Sequence, residues 1–141
     1  MRLTIQTDYA LRVLMYLAAT NSRATSPDVA RLFGISVHHV AKVVNQLARH
    51  GYVRSVRGVG GGIELARSPE NIRLGEVIET FEGKLHLLEC IGTDNVCALQ
   101  PHCRLLGVLA EAERLQVEYL NSMTLKDVAP SRRQLAEVAV N

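Results

Sequence analysis

The sequence predicts a mainly α-helical protein with a small β-wing: a winged helix-turn-helix followed by a long dimerisation helix. Three observations predict this fold class. Two short amphipathic helices meet at a glycine, a hairpin with a glycine-rich turn follows them, and a long apolar stripe at helical spacing occupies residues 105–119. The length of 141 residues suits one compact unit.

The first two helices are predicted from apolar periodicity and from helix-start signals. Apolar residues recur at helical spacing over residues 7–20, with Thr7 as the expected N-cap and Asp8 in the first turn. Ser26, followed by proline, predicts the N-cap of a second, short helix that ends at Gly34.

The third helix is predicted to begin after Ser36 and to end at Gly51. With Gly34 in the turn, the small Ala30 where the helices cross and the apolar Val40 holding the next helix down, the pattern is that of a helix-turn-helix. In that motif the second helix enters the major groove of DNA. A generic helical hairpin would satisfy the same pattern.

The segment after the third helix predicts a β-hairpin. Residues 52–57 and 63–66 have strand character, and the turn GVGGG at 58–62 joins them. Arg54 and Arg57 are expected on the first strand, and a glycine-rich tip allows close backbone approach to a phosphate or groove. A basic hairpin after a helix-turn-helix is a winged helix, which favours DNA binding. The turn lacks the Lys-Ser/Thr of a nucleotide-binding loop.

The charge distribution points in the same direction. Residues 1–60 carry eight Lys or Arg against two acids, a net +6, whereas residues 61–141 carry eight against twelve, a net −4. A basic first part suggests contact with a polyanion, although solvated basic faces are common.

Two more helices are predicted in the second half of the chain, one over about residues 74–82 and a long one after Pro101. The long helix would measure about 30 Å and needs a partner along its apolar stripe. A second copy of the chain in a two-fold dimer is the economical partner. The predicted regions are a winged helix-turn-helix (1–83), a cysteine loop (84–104), a dimerisation helix (105–125) and a C-terminal tail (126–141) with a short helix, a proline break and a variable end.

A cytoplasmic, non-enzymatic protein is expected. No stretch reaches the roughly 20 apolar residues of a membrane span, and no secretory leader is recognisable. Serine, histidine and carboxylate residues form no catalytic arrangement with local support. Thiols stay reduced in the cytosol, so an odd number of clustered cysteines points to metal or redox chemistry.

All three cysteines lie in the stretch ECIGTDNVCALQPHCRL, residues 89–105. The spacing C-x6-C-x5-C between Cys90, Cys97 and Cys103 differs from the close pairs of structural zinc sites and suits a loop that wraps an iron–sulfur cluster. Cys103 is expected in the first turn of the long helix, whose dipole favours a thiolate. Alternatively, the cysteines are small buried hydrophobes. A fourth ligand would be a distant side chain or a local one: His86, Glu89, Asp94 or His102.

Four segments together closely resemble the iron–sulfur winged-helix repressor family that includes NsrR, IscR and RirA. They are MRLTIQTDYALRVLMYLA, GISVHHVAKVVNQLARHGYVRSVRGVGGGIELA, IRLGEVIETFEG and the three-cysteine loop before a long helix. The resemblance weakens after about residue 128. It implies a DNA-binding homodimer with one iron–sulfur cluster per subunit.

Within the family, the resemblance is closest to the nitric-oxide-sensitive NsrR-like members. IscR-like members complete the site with a histidine at the position of Leu106, so that ligand is absent here. NsrR-like members use an aspartate from the other subunit, which implies Asp8 as fourth ligand of a 4Fe-4S cluster, with 2Fe-2S as an alternative. Asp8 would also complement the dipole of its own helix.

The resemblance therefore implies a repressor that binds palindromic operator DNA and releases it when nitric oxide nitrosylates the cluster. The alternatives are an iron or iron–sulfur status regulator, as in RirA-like members, and a cluster-carrying redox protein without specific DNA binding. The residues expected to bind DNA lie on the exposed face of the third helix and on the wing: Ser36, His38, His39, Lys42, Arg54 and Arg57.

Overall fold

The computed structural model describes residues 2–140, so the outermost positions of the predicted regions, Met1 and Asn141, lie outside it. The fold is mainly helical with one two-stranded antiparallel sheet, as predicted. Its elements are α1 (Ile5–Thr20), α2 (Ser26–Phe33), α3 (Val37–Arg49), β1 (Val53–Val56), β2 (Gly62–Leu65), α4 (Leu74–Glu82), α5 (Arg104–Ser122), α6 (Leu125–Val128) and α7 (Arg132–Ala139), with short 3-10 turns at Pro69–Asn71, Glu89–Ile91 and Gln100–His102.

The core forms around α1, which packs against α2, α3, α4, α6, α7 and β2. The buried face of α1 includes Leu14 and Leu17, and α3 contributes Val40 and Leu47, all at most 1% exposed. Burying one such aliphatic side chain stabilises the fold by about 1.5–3 kcal/mol. This apolar contact fixes α3 to α1 and leaves the opposite face of α3 in solvent.

The start of α1 differs from the prediction. Thr4 is the N-cap, and Thr7 lies inside the helix, fully buried. Glu82, the last residue of α4, accepts hydrogen bonds from the Thr4 amide at 2.6 Å, from the Thr4 hydroxyl at 2.9 Å and from the Thr7 hydroxyl. Desolvation raises the pKa of Glu82, but these hydrogen bonds outweigh it and leave the pKa below its ordinary value. The helix therefore starts one turn earlier because a distant carboxylate binds its first turn.

The helix-turn-helix forms as predicted, with one shifted cap. Thr25 caps α2 and forms a capping box with Asp28, so Ser26 is the first helical residue and not the N-cap. Gly34 ends α2 in a left-handed conformation at φ +63°, which favours glycine. Ala30 and Val40 are buried where the two helices meet, as the pattern indicated.

The wing is attached to the rest of the DNA-binding region. Residues Val53–Val56 pair with Gly62–Leu65, so Arg57 lies one residue beyond the strand on which it was predicted. Ala24, between α1 and α2, exchanges two backbone hydrogen bonds with Ile63, of 3.0 and 2.7 Å. A Cβ at Gly62 would lie 2.5 Å from the Ala24 carbonyl oxygen, so only glycine fits this approach. The hairpin is therefore held by backbone contacts at the start of its second strand, next to the turn.

The C-terminal segment is more integrated than a variable tail. Leu125 is fully buried, and its amide donates to the carbonyl of Ile72 at 2.8 Å. The last helix, α7, packs on α1, where Arg132 donates to the Thr20 carbonyl. No helix within residues 2–140 has both the length and the apolar character needed to cross a membrane.

Candidate metal centre and nucleic-acid interface

The three cysteines are free thiols on the segment that joins α4 to α5. Cys90 lies in a 3-10 turn and is half-buried, Cys97 is exposed, and Cys103 is half-buried. Cys103 is the N-cap of α5 and not a first-turn residue, because its backbone is extended at φ −80° and ψ 107°. It still lies beside the free N–H groups of the helix start.

Cys90 and Cys97 line one open cleft of about 740 Å³. Cys103 does not line it, although Pro101 and Leu106, two residues before it and three residues after it, do. Across residues 2–140, no three His, Cys, Asp or Glu side chains are close enough together to hold a single metal ion. Three thiols on one loop are nevertheless the donors that an iron–sulfur cluster uses, because each thiolate binds a different iron and the ligands therefore lie farther apart than those around one ion. The donor chemistry therefore fits a cluster.

The cysteine loop is held together by the side chain of Gln100. Its Nε2 atom donates to the carbonyl oxygens of Cys90 at 2.9 Å and of Thr93 at 2.7 Å. Its Oε1 atom accepts from the amide of Val96 at 3.3 Å. No pattern in the sequence indicated this residue, because a glutamine that binds backbone groups has no characteristic spacing.

A second contact fixes the start of the same loop to α5. His86 Nδ1 lies 2.9 Å from a carboxylate oxygen of Glu113, and the other oxygen accepts from the Leu87 amide at 3.3 Å. The imidazole also lies so close to Gly92 that a Cβ there would be 2.6 Å from Nε2. His86, one of the local candidates for a fourth ligand, is therefore engaged in packing the loop.

Among the local candidates for a fourth ligand, Asp94 is the one that lines the cleft with Cys90 and Cys97. Glu89 and His102 do not line it. Asp94 is exposed and lies in the six-residue stretch between those two cysteines. It is the same-chain alternative to Asp8.

Asp8 lies elsewhere in the chain, in a groove of about 730 Å³ between the start of α1 and the turn of the helix-turn-helix. This groove and the cysteine cleft have no lining residue in common. Asp8 forms a two-point ion pair with Arg12, from Nη2 to Oδ2 at 2.9 Å and from Nε to Oδ1 at 3.0 Å. The two side chains are 46% and 37% exposed. A solvent-exposed pair at this spacing is typically worth about 0.3–0.5 kcal/mol, so another partner of the carboxylate can replace Arg12.

The first turns of α1 contact both helices of the helix-turn-helix. The Arg12 guanidinium carbon lies 5.6 Å from the centre of the Phe33 ring in α2. The rings of Tyr9 and His39, which belongs to α3, are 6.3 Å apart between centres. A change at Asp8 is thus adjacent to side chains that touch α2 and α3.

The predicted DNA-reading residues share one surface of α3. Its apolar face is buried against α1, and the opposite side near the start of α3 is exposed. The four predicted residues are all exposed there: Ser36, His38, His39 and Lys42. Ser36 is the N-cap as predicted, without a side-chain capping bond.

The two wing arginines differ in their surroundings. Arg54 donates to Glu64 at 2.6 Å, and Arg23 binds the other oxygen of Glu64 at 2.9 Å. Arg23 and Arg54 together hold the pKa of Glu64 below its ordinary value. Arg57 is exposed and forms no ion pair or side-chain hydrogen bond within the described part of the chain, so its charge is available to a ligand. The contact between Arg23 and Glu64 could not be predicted from the sequence, because a single basic residue in a turn does not indicate its partner.

The long helix leaves an apolar stripe in solvent. Leu105, Val108, Leu115 and Tyr119 are each more than half exposed, and Ala112 continues the same face. We call these five residues the α5 stripe. Arg114 pairs with Glu111 and Glu118 on the same helix, at 2.8 and 2.7 Å. An exposed apolar stripe beside charged residues is typical of a helix that packs against another protein surface.

Comparisons with known proteins give a consistent result. The sequence profile of the Rrf2 family, described as an iron-dependent transcriptional regulator, matches residues 3–131. The HTH-type transcriptional regulator NsrR of Shouchella clausii is 42% identical over 131 residues, covering 91% of this chain and 88% of that protein. NsrR of Bacillus subtilis is 38% identical over 141 residues, covering 98% and 97%.

Solved structures agree with the fold. The global cysteine regulator CymR of B. subtilis superposes with a TM-score of 0.76 at 24% identity, covering 92% of this chain and 96% of that one. IscR of T. potens superposes with a TM-score of 0.71 at 25% identity, covering 90% and 85%.

Proposed function

The chain belongs to the Rrf2 family of iron-dependent transcriptional regulators, and from that premise we propose that it is a nitric-oxide-responsive repressor. It would bind palindromic operator DNA as a homodimer in the cytoplasm and carry one iron–sulfur cluster per subunit. The observation that carries the proposal is that one chain joins a winged helix-turn-helix to a loop with three free thiols.

Cys90, Cys97 and Cys103 of one subunit would hold the cluster, and Asp8 of the partner subunit would complete its ligands. The resemblance to NsrR-like members implies a 4Fe-4S cluster, with 2Fe-2S as the alternative. When bound, the cluster supplies iron that reacts with nitric oxide. Asp8 suits the fourth position because its pair with Arg12 is weak and solvent-exposed.

The residues around Asp8 would carry its state to the DNA. While Asp8 binds elsewhere, Arg12 loses its carboxylate partner and keeps its contact with Phe33. When Asp8 is released, the ion pair with Arg12 forms again beside the turn of the helix-turn-helix. High operator affinity requires that the two subunits bind both half-sites at once. A small shift of α1 relative to the partner subunit would therefore weaken DNA binding.

The test is anaerobic purification followed by absorption spectroscopy and an operator-shift assay before and after nitric oxide. The operator would be selected by the wild-type protein from a random pool of duplexes. We expect visible absorption typical of an iron–sulfur cluster and a fall of roughly tenfold or more in operator affinity after nitric oxide. If iron depletion releases the DNA and nitric oxide does not, the protein is an iron-status regulator. If no palindromic duplex is selected, the remaining alternative is a cluster-carrying redox protein without specific DNA binding.

In the same experiment, Asp8→Ala is expected to retain operator binding but to lose cluster faster than wild type or to alter the nitric oxide response. Asp94→Ala is the matched control, since Asp94 lines the cysteine cleft of its own chain. Wild-type behaviour of Asp8→Ala together with cluster loss in Asp94→Ala would transfer the ligand role to Asp94.

We expect Arg57→Ala to weaken operator binding by roughly tenfold to a hundredfold, the range for a side chain that contacts DNA directly. Arg57 is exposed beside the wing tip and has no protein partner among residues 2–140. Arg54→Ala should have a smaller effect, because Glu64 already neutralises part of that charge. Affinities are measured by fluorescence anisotropy at fixed salt.

The control for Arg57→Ala is Arg133→Ala, which removes the same charge from an exposed position on α7. An Arg57→Ala protein with wild-type affinity would contradict docking of the wing on DNA.

A further inference from the structure

We propose that Gln100 is a positioning residue that folds the cysteine loop into a cluster-ready form before iron arrives. The inference rests on the proposed function, because it assigns the loop to cluster binding. The observation behind it is that one side chain joins both halves of the loop through three hydrogen bonds to backbone groups.

The backbone of the loop has little structure of its own. Within the described residues 88–103, each backbone-to-backbone hydrogen bond joins positions three apart: Ile91 to Leu88, Gly92 to Glu89, Gln100 to Cys97, His102 to Leu99 and Cys103 to Gln100. Such bonds form isolated turns and do not connect one turn to another. The turn with Cys90 also packs on α5 and lies beside His86, which Glu113 holds. No backbone hydrogen bond within the described loop connects it to the turn that leads to Cys103, so that connection needs a further contact.

Gln100 supplies that contact. It lies in the 3-10 turn directly before Cys103, and its amide group reaches back ten residues to the carbonyl oxygen of Cys90. The bonds to Thr93 and Val96 close the stretch between Cys90 and Cys97 around the same side chain. The side-chain amide of Gln100 therefore connects Cys90 and residues 93–96 to the start of α5.

A site whose ligands are already gathered binds its group faster and more tightly than one that must be ordered first. If only a fraction of the loops is in the competent form, apparent affinity falls by that fraction. Removing both donor bonds of Gln100 should reduce the ordered fraction roughly tenfold, a change equivalent to about 1.4 kcal/mol.

The first measurement uses the full-length, metal-free protein. Gln100→Met keeps the length of the side chain without its hydrogen bonds, and Gln100→Glu keeps its shape but places a carboxylate against two carbonyl oxygens. Both variants should raise hydrogen–deuterium exchange roughly tenfold at the amides that are hydrogen-bonded in this stretch, those of Ile91, Gly92 and Val96. They should also raise the alkylation rate of Cys90 relative to that of the exposed Cys97, which serves as an internal reference. Core amides of α1 and α3 should not change, which separates release of the loop from loss of the fold.

Gln116→Ala is the matched control, because this half-buried glutamine in α5 has no side-chain hydrogen bond in the described structure. If Gln100→Met matches wild type in loop exchange and in the Cys90 to Cys97 ratio, the side chain only fills space and the inference is wrong. Equal exchange in Gln100→Glu and wild type would overturn it as well, even if one of the two variants misfolded.

The second measurement adds ferrous iron and sulfide anaerobically and follows the rate of cluster formation. We expect about a tenfold slower rate in both Gln100 variants and no change in Gln116→Ala. A wild-type protein that takes up no iron and sulfide would contradict the proposed function, whereas the exchange and alkylation data would still decide the role of Gln100.

Discussion

Cys97→Ser is expected to remove the iron–sulfur cluster almost completely and, with it, any response of operator binding to nitric oxide. Loss of a residue that merely orients a metal ligand typically reduces metal affinity 10- to 100-fold, so loss of a ligand should exceed about 100-fold. Cys97 suits this test because its side chain is exposed and belongs to no buried contact that the substitution would disturb.

Iron and acid-labile sulfide per subunit, measured after anaerobic reconstitution, check this prediction. The control is Ala98→Ser, which adds a hydroxyl at the neighbouring exposed position and leaves all three thiols in place. The circular dichroism spectrum of the metal-free Cys97→Ser protein should equal that of wild type. A normal iron and sulfide content in Cys97→Ser would exclude Cys97 from the ligands.

Leu115→Glu is expected to split the proposed homodimer and to lower operator affinity by about 100-fold or more. Leu115 belongs to the α5 stripe and is 52% exposed in the single chain. A carboxylate at this position would lie unpaired in the apolar contact between two copies of α5. Because two linked heads bind a palindrome far more tightly than one, a monomer loses the avidity that linkage provides, about 10²–10⁴ in affinity.

Sedimentation and the operator-shift assay at one salt concentration test this prediction. Gln116→Glu is the matched control, since it adds the same charge at the next position, which points about 100° away around the helix. A Leu115→Glu protein that stays dimeric and retains its operator affinity would show that the α5 stripe does not form the interface.

The winged helix-turn-helix could be predicted because its signals are local. Gly34 provides the left-handed turn, Val40 and its neighbours follow helical spacing, and the glycines at 58–62 mark the hairpin. The helix caps were predicted less well. Thr4 and Thr7 are equally good caps by residue type, and the choice depends on Glu82, which is far away in sequence.

For the candidate metal site, the sequence predicts thiolate chemistry, which stays a prediction, and it does not predict how the loop is arranged. The spacing of Cys90, Cys97 and Cys103 predicts thiolate ligands, whereas the bracing of the loop by Gln100 involves backbone acceptors that leave no trace in sequence. Only the family resemblance connects Asp8 with the cysteines. Within one chain they line separate grooves, so neither the sequence pattern nor the fold of a single chain brings them together. The docking of α7 on α1 was missed because polar helix termini form contacts without periodicity.

The backbone exchange between Ala24 and Ile63 restricts how the protein can be regulated. It joins the wing to the connection between α1 and α2. The wing, α1 and the helix-turn-helix are therefore expected to move together as one unit, which we call the head. In the proposed repressor, a head of this kind would keep one DNA-binding surface. The proposed effector would then act on operator affinity chiefly through the translation and rotation of one head of the dimer relative to the other. The operator variable that should respond to the effector is therefore the spacing between half-sites, in preference to the bases within each half-site.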